Sequence, residues 1–350
     1  MMNLRKEDFA FDLPPELIAL EPAQPRGASR LLQLDQLGQP SNQRFLDLVY
    51  LLPPKTLILL NNTKVIPARL VGQRATGGQL EVLLLRQTAP QTWLCKVKNS
   101  AKLKPQERIT LAEGRLQAEV LEKQPGCLLR FVSPDLLHDL ERYGLPPLPP
   151  YILQARGKNN QLPGDLENYQ TCFAQTPGAI AAPTAGLHFT PEAMRTLAQA
   201  GHEFASLTLH VGLGTFEPLR EEQISQKKLH PEELYLTPET ADRINQAHAA
   251  GRPILAVGTT SLRALEAATQ GGQVLPGHRT TDLFITPPHR FEIPTHLLTN
   301  FHLPESSLLM LVCAFGGQEQ VLAAYRWAIE QRYRFYSFGD CMLVPQGKGA

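Results

Sequence analysis

Two different spacings of apolar residues divide the chain. Between residues 70 and about 132, short leucine-rich and β-branched runs alternate with turn residues such as Gly77-Gly78 and Gly126. Strands are predicted at residues 80–85, 93–97, 108–111, 116–121 and 128–132. Short strands at this spacing are typical of a small β-barrel. The proline-rich stretch LPPLPPY at 145–151 follows and is interpreted as a linker.

The rest of the chain alternates strands with helices. Thr190-Pro191-Glu192 combines an N-cap, a proline at the first helical position and a first-turn acid, and Gly201 ends the predicted helix. The same order of residues recurs from Thr237 to Gly251. Strands are predicted at 30–34, 56–60, 254–257 and 334–338, and a helix at 319–332. We therefore expect an α/β main domain, residues 1–69 plus 151–350, with an inserted small β-barrel domain at 70–150.

Composition excludes several classes of protein. The 350 residues are 43% hydrophobic and 19% charged, with a net charge of +1, so bulk charge does not indicate nucleic-acid binding. The N-terminal region has no apolar signal core, and the longest apolar run, 308–315, is too short for a membrane span. The five cysteines form no CxxC pair, and no zinc-binding spacing occurs. We expect a cytoplasmic protein without a membrane segment or a metal.

Histidines and glycine-rich loops are concentrated in the second half of the chain. Nine of the ten histidines lie at or beyond His188. A surface or satisfied core histidine is the simpler interpretation of any one of them, but four stand inside dense motifs. GAIAAPTAGLHFT at 178–190 presents Thr184, His188 and Phe189. A tight buried turn explains this motif equally well.

Three further motifs are candidates for ligand binding. TLHVGLGTF at 208–216 lacks the third glycine of a dinucleotide fingerprint, so close ligand approach at Gly212 and Gly214 is favoured over a Rossmann site. The GTTS run after strand 254–257 offers free N–H groups and hydroxyls to a carboxylate or phosphate, or is only a well-capped helix start. The remaining motif is Thr281-Asp282, with Asn300-Phe301-His302 further along the chain. Together with the histidine–carboxylate pair of His230-Pro231-Glu232, it adds titratable side chains.

Two stretches combine basic with aromatic residues. Lys98 and Lys102 belong to a basic run near Trp93, and YRWAIEQRYRFYSFGD at 325–340 interleaves arginines with aromatic rings. Such residues suit single-stranded RNA, whose bases need stacking partners and whose phosphates need positive charge. A solvated face and helix-core packing are the competing interpretations.

Nine stretches in order carry a resemblance to a known family. They are FDLPPELIA at 11–19, SRLL at 29–32, NNTKVIPARL at 61–70, AAPTAGLHFT at 181–190, LHVGLGTFEPL at 209–219, VGTTSLRALE at 257–266, TDLFI at 281–285, LTNFHLPESSLLMLVCAF at 298–315 and YRFYSFGDCMLV at 333–344. The chain thus resembles the QueA family of S-adenosylmethionine:tRNA ribosyltransferase-isomerases over nearly its whole length. It departs at Asn62, where the family usually has Asp, and at Pro231, where it has Ser.

The resemblance implies a reaction and its partners. The ribosyl part of S-adenosylmethionine moves to the exocyclic amine of 7-aminomethyl-7-deazaguanine at the wobble position of a tRNA. The sugar rearranges to an epoxycyclopentanediol, adenine and methionine leave, and the tRNA carries epoxyqueuosine. S-adenosylmethionine is thus a consumed co-substrate, the partner is a tRNA with this base in its anticodon, and the enzyme is expected to be a monomer.

The chemistry of this reaction assigns expected roles. A sulfonium acidifies the adjacent 5′ carbon, so a base is expected there, and departing adenine needs a proton donor. The catalytic candidates are His188, His210, Asp282 and His302. The co-substrate candidates are Pro183, Thr184, Phe189, Gly212, Gly214, Thr215, Phe216, Thr259, Thr260 and Arg263. Two of these, Phe189 and Phe216, are expected to face the sulfonium, and Thr259, Thr260 and Arg263 to hold the methionine carboxylate. The tRNA-binding candidates are Lys98, Lys102, Arg332, Tyr333, Arg334 and Tyr336.

Three other functions compete with this one. An S-adenosylmethionine-dependent RNA methyltransferase predicts S-adenosylhomocysteine as product and a glycine fingerprint that the sequence lacks. A non-catalytic RNA-binding module predicts a basic stripe but does not account for the histidine- and glycine-rich loops. A nicotinamide-dependent enzyme is disfavoured by the broken GLGT pattern.

Overall fold

The structure is a computed structural model that describes residues 5–123, 126–157, 162–212, 214 and 219–347. The strands are β1 Arg30–Leu34, β2 Pro40–Arg44, β3 Leu57–Asn61, β4 Thr63–Val65, β5 Arg69–Arg74, β6 Gln79–Ala89, β7 Thr92–Lys98, β8 Arg108–Leu111, β9 Leu116–Glu122, β10 Cys127–Phe131, β11 Thr176–Ala179, β12 Glu203–Leu209, β13 Lys228–Leu236, β14 Ile254–Val257, β15 Thr269–Gln270, β16 Gln273–Val274, β17 Gly277–Leu283, β18 His296–Asn300 and β19 Cys341–Pro345. The α-helices are α1 Leu48–Leu51, α2 Leu136–Tyr143, α3 Pro150–Arg156, α4 Asp165–Asn168, α5 Pro191–Gln199, α6 Glu221–Gln226, α7 Pro238–Ala249, α8 Gly258–Ala268, α9 Ser307–Gly316 and α10 Gln318–Glu330.

The chain forms two compact units. One comprises Met1–Thr63, Gln170–Thr176 and Ala182–Ala350, and the other comprises Lys64–Tyr169 and Pro177–Ala181. The predicted α/β fold with a small barrel is confirmed. The domain boundaries between residues 69 and 70 and between residues 150 and 151 remain predictions.

The smaller unit is a closed barrel of six antiparallel strands in the order β10-β7-β6-β5-β8-β9. Side chains alternate between its interior and solvent, as β7 illustrates: Trp93, Cys95 and Val97 are buried, while Lys96 and Lys98 are exposed. Because its ring is buried in the barrel, Trp93 serves packing and not base stacking. The sequence did not predict β5, because the second half of this strand contains only glycine and polar residues and so lacks the apolar side chains that mark a buried face.

The larger unit contains a nine-stranded sheet in the order β17-β13-β12-β3-β14-β18-β19-β1-β2. Its centre is parallel, because β12 and β14 both pair in parallel with β3, and β18 pairs in parallel with β14. The central strands LILLN and ILAV are buried at every position. Such continuous apolar runs are typical of parallel strands covered on both faces.

Helices cover both faces of this sheet. Successive residues of β3 point to opposite sides: Ile58 and Leu60 join a core with α1 and α5, while Leu57 and Leu59 join a core with α7 and α8. The helices α9 and α10 enclose a further cluster around Phe301. Two helix starts confirm the sequence prediction, since the Thr190 and Thr237 hydroxyls accept hydrogen bonds from N–H groups in α5 and α7.

The strand predicted at 334–338 is wrong. Only an isolated bridge between Ile18 and Phe335 forms there, and the strand of this region is β19. The Asp340 carboxylate accepts the backbone N–H of Arg334 at 2.8 Å and so closes a turn. The apolar periodicity of this stretch reflects aromatic packing, with Phe335 fully buried.

In the part of the chain that the structure describes, no single helix is both long and apolar enough to cross a membrane. One pair of helices bent by 115°, Ser307–Gly316 with Gln318–Glu330, has sufficient length and apolarity only when the two are counted together.

Candidate active site

The carboxyl ends of the parallel strands gather titratable groups at one edge of the nine-stranded sheet. The chain leaves β3 at Thr63, β12 at His210, β14 at the start of α8, and β18 near His302. Because β13 is antiparallel to β12 and its Leu234 pairs with Leu209, the last residue of β12, Glu232 in the middle of β13 lies just beyond this edge. Open α/β sheets bind their ligands at this edge.

His210 is the partly exposed histidine among the catalytic candidates. Its Nδ1 lies 2.8 Å from Thr63 Oγ1, and its backbone N–H donates to Glu233 O at 2.9 Å. Within the described residues, Nε2 makes no hydrogen bond. Burial lowers the pKa of His210, against a smaller opposing effect of the Glu233 carboxylate. The ring is therefore neutral at pH 7, and with Nδ1–H donating to Thr63, Nε2 has the lone pair of a base.

A buried ion pair adjoins His210. Glu232 and Arg263 are 6% and 7% exposed and their side chains form an ion pair between β13 and α8. Glu232 Oε1 also accepts the N–H of Gly212 at 2.9 Å. Burial lowers the pKa of Arg263 to about 10, so the guanidinium stays charged at neutral pH. The charge of Arg263, predicted to hold a carboxylate of the co-substrate, is thus already balanced within the protein.

The start of α8 has unsatisfied hydrogen-bonding groups. Among the residues that the structure describes, no side chain caps its first turn, and the Ser261 hydroxyl donates within the helix, to Val257 O at 2.7 Å. Thr259 and Thr260 are 6% and 8% exposed, and within the described residues Thr260 Oγ1 has no hydrogen-bond partner. A buried helix N-terminus with an uncapped first turn and an unpartnered hydroxyl is suited to bind an anionic group.

His188 is fully engaged inside the protein. Asn300 donates through Nδ2 to Tyr336 O and Ser337 O, so its Oδ1 faces His188 Nε2 at 3.2 Å. Nε2 must therefore carry the hydrogen, and Nδ1 accepts from the Ser29 hydroxyl at 2.9 Å. Burial lowers the pKa of His188 to about 4. The ring is a neutral cross-link of the core with no free lone pair.

The other two catalytic candidates differ in their surroundings. His302 is 8% exposed, its Nε2 lies 2.8 Å from Thr299 Oγ1, and burial lowers its pKa to about 3. Its backbone N–H donates to the hydroxyl of Tyr325. Asp282 is about half exposed and lies 3.1 Å from the ammonium of Lys228. His302 is thus more deeply buried than His210, and Asp282 is paired with a lysine near the surface.

His188 and His302 predict a loss of stability in acid. Their pKa values of about 4 and about 3 lie below the value of about 6.5 expected for an unfolded chain. Below pH 6.5 the unfolded chain therefore binds more protons, and the free energy of unfolding falls by about 2 kcal/mol per histidine from pH 7.5 to 5. Urea unfolding at the two pH values measures this loss. We expect His302→Gln to reduce the measured loss by about 2 kcal/mol and His138→Gln, at an exposed position, to leave it unchanged; an unaltered loss in His302→Gln contradicts the assignment.

The motif at 178–190 forms the tight buried turn that the sequence allowed. Pro183 and Thr184 begin a 3-10 helix, Thr184–His188, and the Pro183 carbonyl accepts the N–H of Gly186 at 2.8 Å. Phe189 is fully buried between the rings of Phe45 and Phe173, with centroid distances of 5.0 and 6.0 Å. Its ring therefore packs in the core. Thr215 and Phe216 lie outside the described residues.

Sequence reasoning did not single out the residues that orient these histidines. Thr63 and Ser29 contact His210 and His188, and both lie inside the motif stretches NNTKVIPARL and SRLL. Asn61 joins the ends of β3 and β12, because its Oδ1 accepts from Leu209 N and Thr63 N. Their position inside the motifs was the available indication of a role. The sequence pattern does not reveal which residue a short hydroxyl or amide side chain contacts.

Both departures from the family pattern are accommodated. Asn62 uses both ends of its amide, since Oδ1 accepts from Thr208 Oγ1 at 2.6 Å and Nδ2 donates to Gln175 Oε1 at 3.2 Å. Pro231 lies between Lys228 and Glu232, where the register of β13 against β17 shifts. A proline is tolerated at such an irregularity because no ladder hydrogen bond is lost.

The tRNA-binding candidates fall into two groups. Lys98 at the end of β7 and Lys102 in the following 3-10 helix are exposed, as is Arg332. Arg334 and Tyr336 are partly buried. Tyr333 has no exposed surface, since its hydroxyl donates to Asn42 Oδ1 at 2.6 Å and a guanidinium, that of Arg30, covers its ring. Its ring is not available to a base.

Known proteins match the whole chain. A family model described as "Queuosine biosynthesis protein" matches residues 6–344. The chain belongs to this family. Proteins named S-adenosylmethionine:tRNA ribosyltransferase-isomerase from Nitrosospira multiformis and Gloeobacter violaceus are each 46% identical to it, over 99% and 98% of this chain and 100% and 97% of their own. The crystal structure of S-adenosylmethionine tRNA ribosyltransferase from Thermotoga maritima covers 96% of this chain and 99% of its own, at 34% identity and a TM-score of 0.56.

Membership in the queuosine biosynthesis family confirms the resemblance carried by the nine motif stretches. It also favours the predicted enzyme over the methyltransferase and the binding module. Across the described residues, no group of three or more His, Cys, Asp or Glu side chains is arranged to hold a metal ion.

Proposed function

We propose that this protein transfers the ribosyl moiety of S-adenosylmethionine to 7-aminomethyl-7-deazaguanine at the wobble position of a tRNA and isomerises it, giving epoxyqueuosine-tRNA, adenine and methionine. Similarity over the whole chain carries the proposal: three relatives with 44–46% identity over at least 97% of this chain are named S-adenosylmethionine:tRNA ribosyltransferase-isomerase. Ribosyl transfer with isomerisation in queuosine biosynthesis, with S-adenosylmethionine as a consumed co-substrate, is the activity of this family. The modified base in the anticodon belongs to the proposal.

His210 is the proposed base. The bound co-substrate supplies a sulfonium, which acidifies the adjacent 5′ carbon. His210 Nε2 removes that proton, and Thr63 Oγ1 accepts the Nδ1–H in both charge states of the ring. His188 and His302 are assigned to positioning, because their rings are buried and hydrogen-bonded within the core. Asp282 remains the second candidate for proton transfer, since its carboxylate is accessible.

The residues present fit the co-substrate at the start of α8. The unpartnered Thr260 hydroxyl and the uncapped first turn suit the carboxylate of its methionine part. A Cβ added at Gly258 would lie 3.5 Å from both Ala185 Cβ and Thr260 Oγ1, so a gap of about one methyl group adjoins that hydroxyl. Thr259 and Thr260 are therefore the proposed carboxylate ligands, and Arg263 contributes through Glu232. Pro183, Thr184, Gly212, Gly214, Thr215 and Phe216 stay in the proposed set, whereas the buried ring of Phe189 does not.

The proposed tRNA contact uses Lys98, Lys102, Arg332, Arg334 and Tyr336. Replacing Lys98 and Lys102 together by alanine is expected to raise the Kd for tRNA about tenfold in low salt, because two phosphate contacts are lost. The slope of log K against log salt concentration, measured by filter binding, should fall by about 2. The control is Arg130→Ala on the same barrel, whose guanidinium is already paired with Glu119 at 2.7 Å. An unchanged salt slope in the double variant removes the barrel residues from the contact.

Other proposals concern the organisation of the enzyme. Residues 1–69 and 151–350 are proposed to form the catalytic domain and 70–150 the inserted domain. The enzyme is proposed to act as a monomer in the cytoplasm.

A product assay tests the proposed reaction. The protein is mixed with S-adenosylmethionine and a tRNA that carries 7-aminomethyl-7-deazaguanine, and the released small molecules and the digested nucleoside are analysed by mass spectrometry. We expect adenine and methionine in equal amounts and an epoxycyclopentanediol mass on the nucleoside. S-adenosylhomocysteine with a methyl mass indicates a methyltransferase instead, and tight tRNA binding without turnover indicates a binding module.

A further inference from the structure

Three contacts hold the segment that carries His210 against the beginning of β13. The backbone N–H of His210 donates to Glu233 O at 2.9 Å, and that of Gly212 donates to Glu232 Oε1 at 2.9 Å. A Cβ added at Gly214 would lie 2.7 Å from His230 Cδ2, so the backbone there packs directly on the imidazole ring. We call residues 230–233 the β13 cradle.

Glu232 is the residue of the cradle that reaches a third element. Its second oxygen pairs with Arg263 on α8, and both side chains are more than nine-tenths buried. Because the Glu232 carboxylate contacts both a loop N–H and a guanidinium, these two contacts fix its position from two sides. Glu232 therefore ties the loop after β12 to the helix whose first turn is the proposed carboxylate site.

The regular part of β13 directs Glu232 inward. The register against β17 shifts between Lys228 and Glu232, where Pro231 lies, and is regular from Glu232 onward. Glu232 is buried on the same side of the strand as Leu234 and Leu236, whereas Pro231 and Glu233 are exposed. A carboxylate thus occupies a buried position of the strand, where it contacts α8 and the backbone of Gly212.

We propose that Glu232 is a positioning residue for the reaction: through Gly212 and Arg263 it holds the His210 loop in the geometry in which Nε2 reaches the substrate. This inference rests on the proposed role of His210. Misplacement of a reacting group by about 1 Å is enough to cost on the order of 100-fold in rate, so a residue that touches no substrate is able to control turnover in this way.

Two single variants test the cradle from different sides. Glu232→Gln keeps an acceptor near Gly212 but leaves the buried charge of Arg263 without a counter-ion, and Gly214→Ala forces the loop away from His230 without touching the ion pair. We expect kcat, followed by adenine release, to fall about 100-fold in each. The Kd for S-adenosylmethionine, measured by calorimetry without tRNA, should stay within threefold, because the proposed carboxylate ligands are unchanged. Circular dichroism at the assay temperature verifies that each variant is folded.

A double variant separates positioning from general damage. Glu232→Gln with Arg263→Gln replaces the ion pair by two neutral amides and retains an acceptor for Gly212. We expect it to recover kcat to within about tenfold of the unmodified protein. The matched controls are Glu203→Gln, at a half-exposed carboxylate paired with Arg252, and Gly78→Ala, in a hairpin turn of the barrel where only the flexible Arg74 side chain is near. Both should leave kcat unchanged.

Amide hydrogen exchange provides a readout independent of activity. The His210 and Gly212 amides should exchange at least tenfold faster in Gly214→Ala than in the unmodified protein, because their hydrogen bonds to the cradle are disturbed. Wild-type kcat in both single variants, or unchanged exchange in Gly214→Ala, overturns the proposal. If the unmodified protein releases no adenine, the proposed reaction fails, while the exchange data still decide whether the cradle holds the loop.

Discussion

His210→Ala is expected to reduce the single-turnover release of adenine by about 1,000-fold, within the range that positioned general bases contribute. The substitution removes the partly exposed histidine at the edge of the sheet, whose Nε2 makes no hydrogen bond to the described residues. Binding of S-adenosylmethionine should stay within threefold, because the groups at the start of α8 are unchanged. Since burial lowers the pKa of His210, the rate of the unmodified protein should rise with pH, and the midpoint of this rise should lie below about pH 6.5.

Two further variants calibrate this result. Thr63→Val keeps the imidazole but removes its hydroxyl partner, so an intermediate loss of about tenfold to thirtyfold is expected from imperfect orientation. His248→Ala removes an exposed histidine on α7 and should leave the rate unchanged. Retention of a rate within threefold of normal in His210→Ala excludes this residue as the base and moves the assignment to Asp282.

Phe301→Ala is expected to reduce the free energy of unfolding by about 3–5 kcal/mol, the usual cost of deleting a fully buried aromatic ring. Phe301 has no exposed surface, and its ring centroid lies 4.8 Å from Phe335, 5.2 Å from Tyr325 and 5.6 Å from Tyr333. Because these rings belong to different segments, the cavity left behind cannot close by the movement of one side chain alone.

Fluorescence isolates this effect from the barrel. Trp327 packs on Tyr333 at a centroid distance of 6.0 Å, so it reports on the cluster once Trp93 has been replaced by phenylalanine in both proteins. Urea unfolding then compares Phe301→Ala with Leu37→Ala, whose side chain is 79% exposed and should cost less than 1 kcal/mol. A loss below 1 kcal/mol for Phe301→Ala contradicts the packing described for this cluster.

Local sequence features predicted some elements of the fold and missed others, among them β2, β12, β13 and β18 of the large sheet. The strand at 254–257 and the helix starts at Thr190 and Thr237 depend on interactions between residues close in the chain, and each is confirmed. The barrel strands were visible because one side of each strand is buried, which imposes an alternating pattern. The error at 334–338 arose where aromatic residues are needed for packing, so that their spacing reports on the core and not on strand pairing.

The candidate site was harder to predict, because the function of a histidine depends on its distant partners. His188, His210 and His302 stand in motifs of similar appearance, yet their surroundings differ. Both ring nitrogens of His188 are hydrogen-bonded in the core, and His302 is buried with its Nε2 on Thr299, whereas His210 is partly exposed. Ser29 is 159 residues from His188 and Thr63 is 147 residues from His210. No spacing rule connects residues that far apart, so only the assembled sheet distinguishes the three rings.

The sequence by itself determined the class of fold, the family and the residue types available for chemistry, because helix caps, strand alternation and the order of the motifs are properties of neighbouring residues. The tertiary structure alone decided which of those residues remain available. It placed Tyr333 and Phe189 in the core, paired Arg263 with Glu232, and left His210 partly exposed with its Nδ1 on Thr63. The physical reason is that burial and pairing set the protonation and accessibility of a side chain, and both depend on strands that the chain brings together from remote positions.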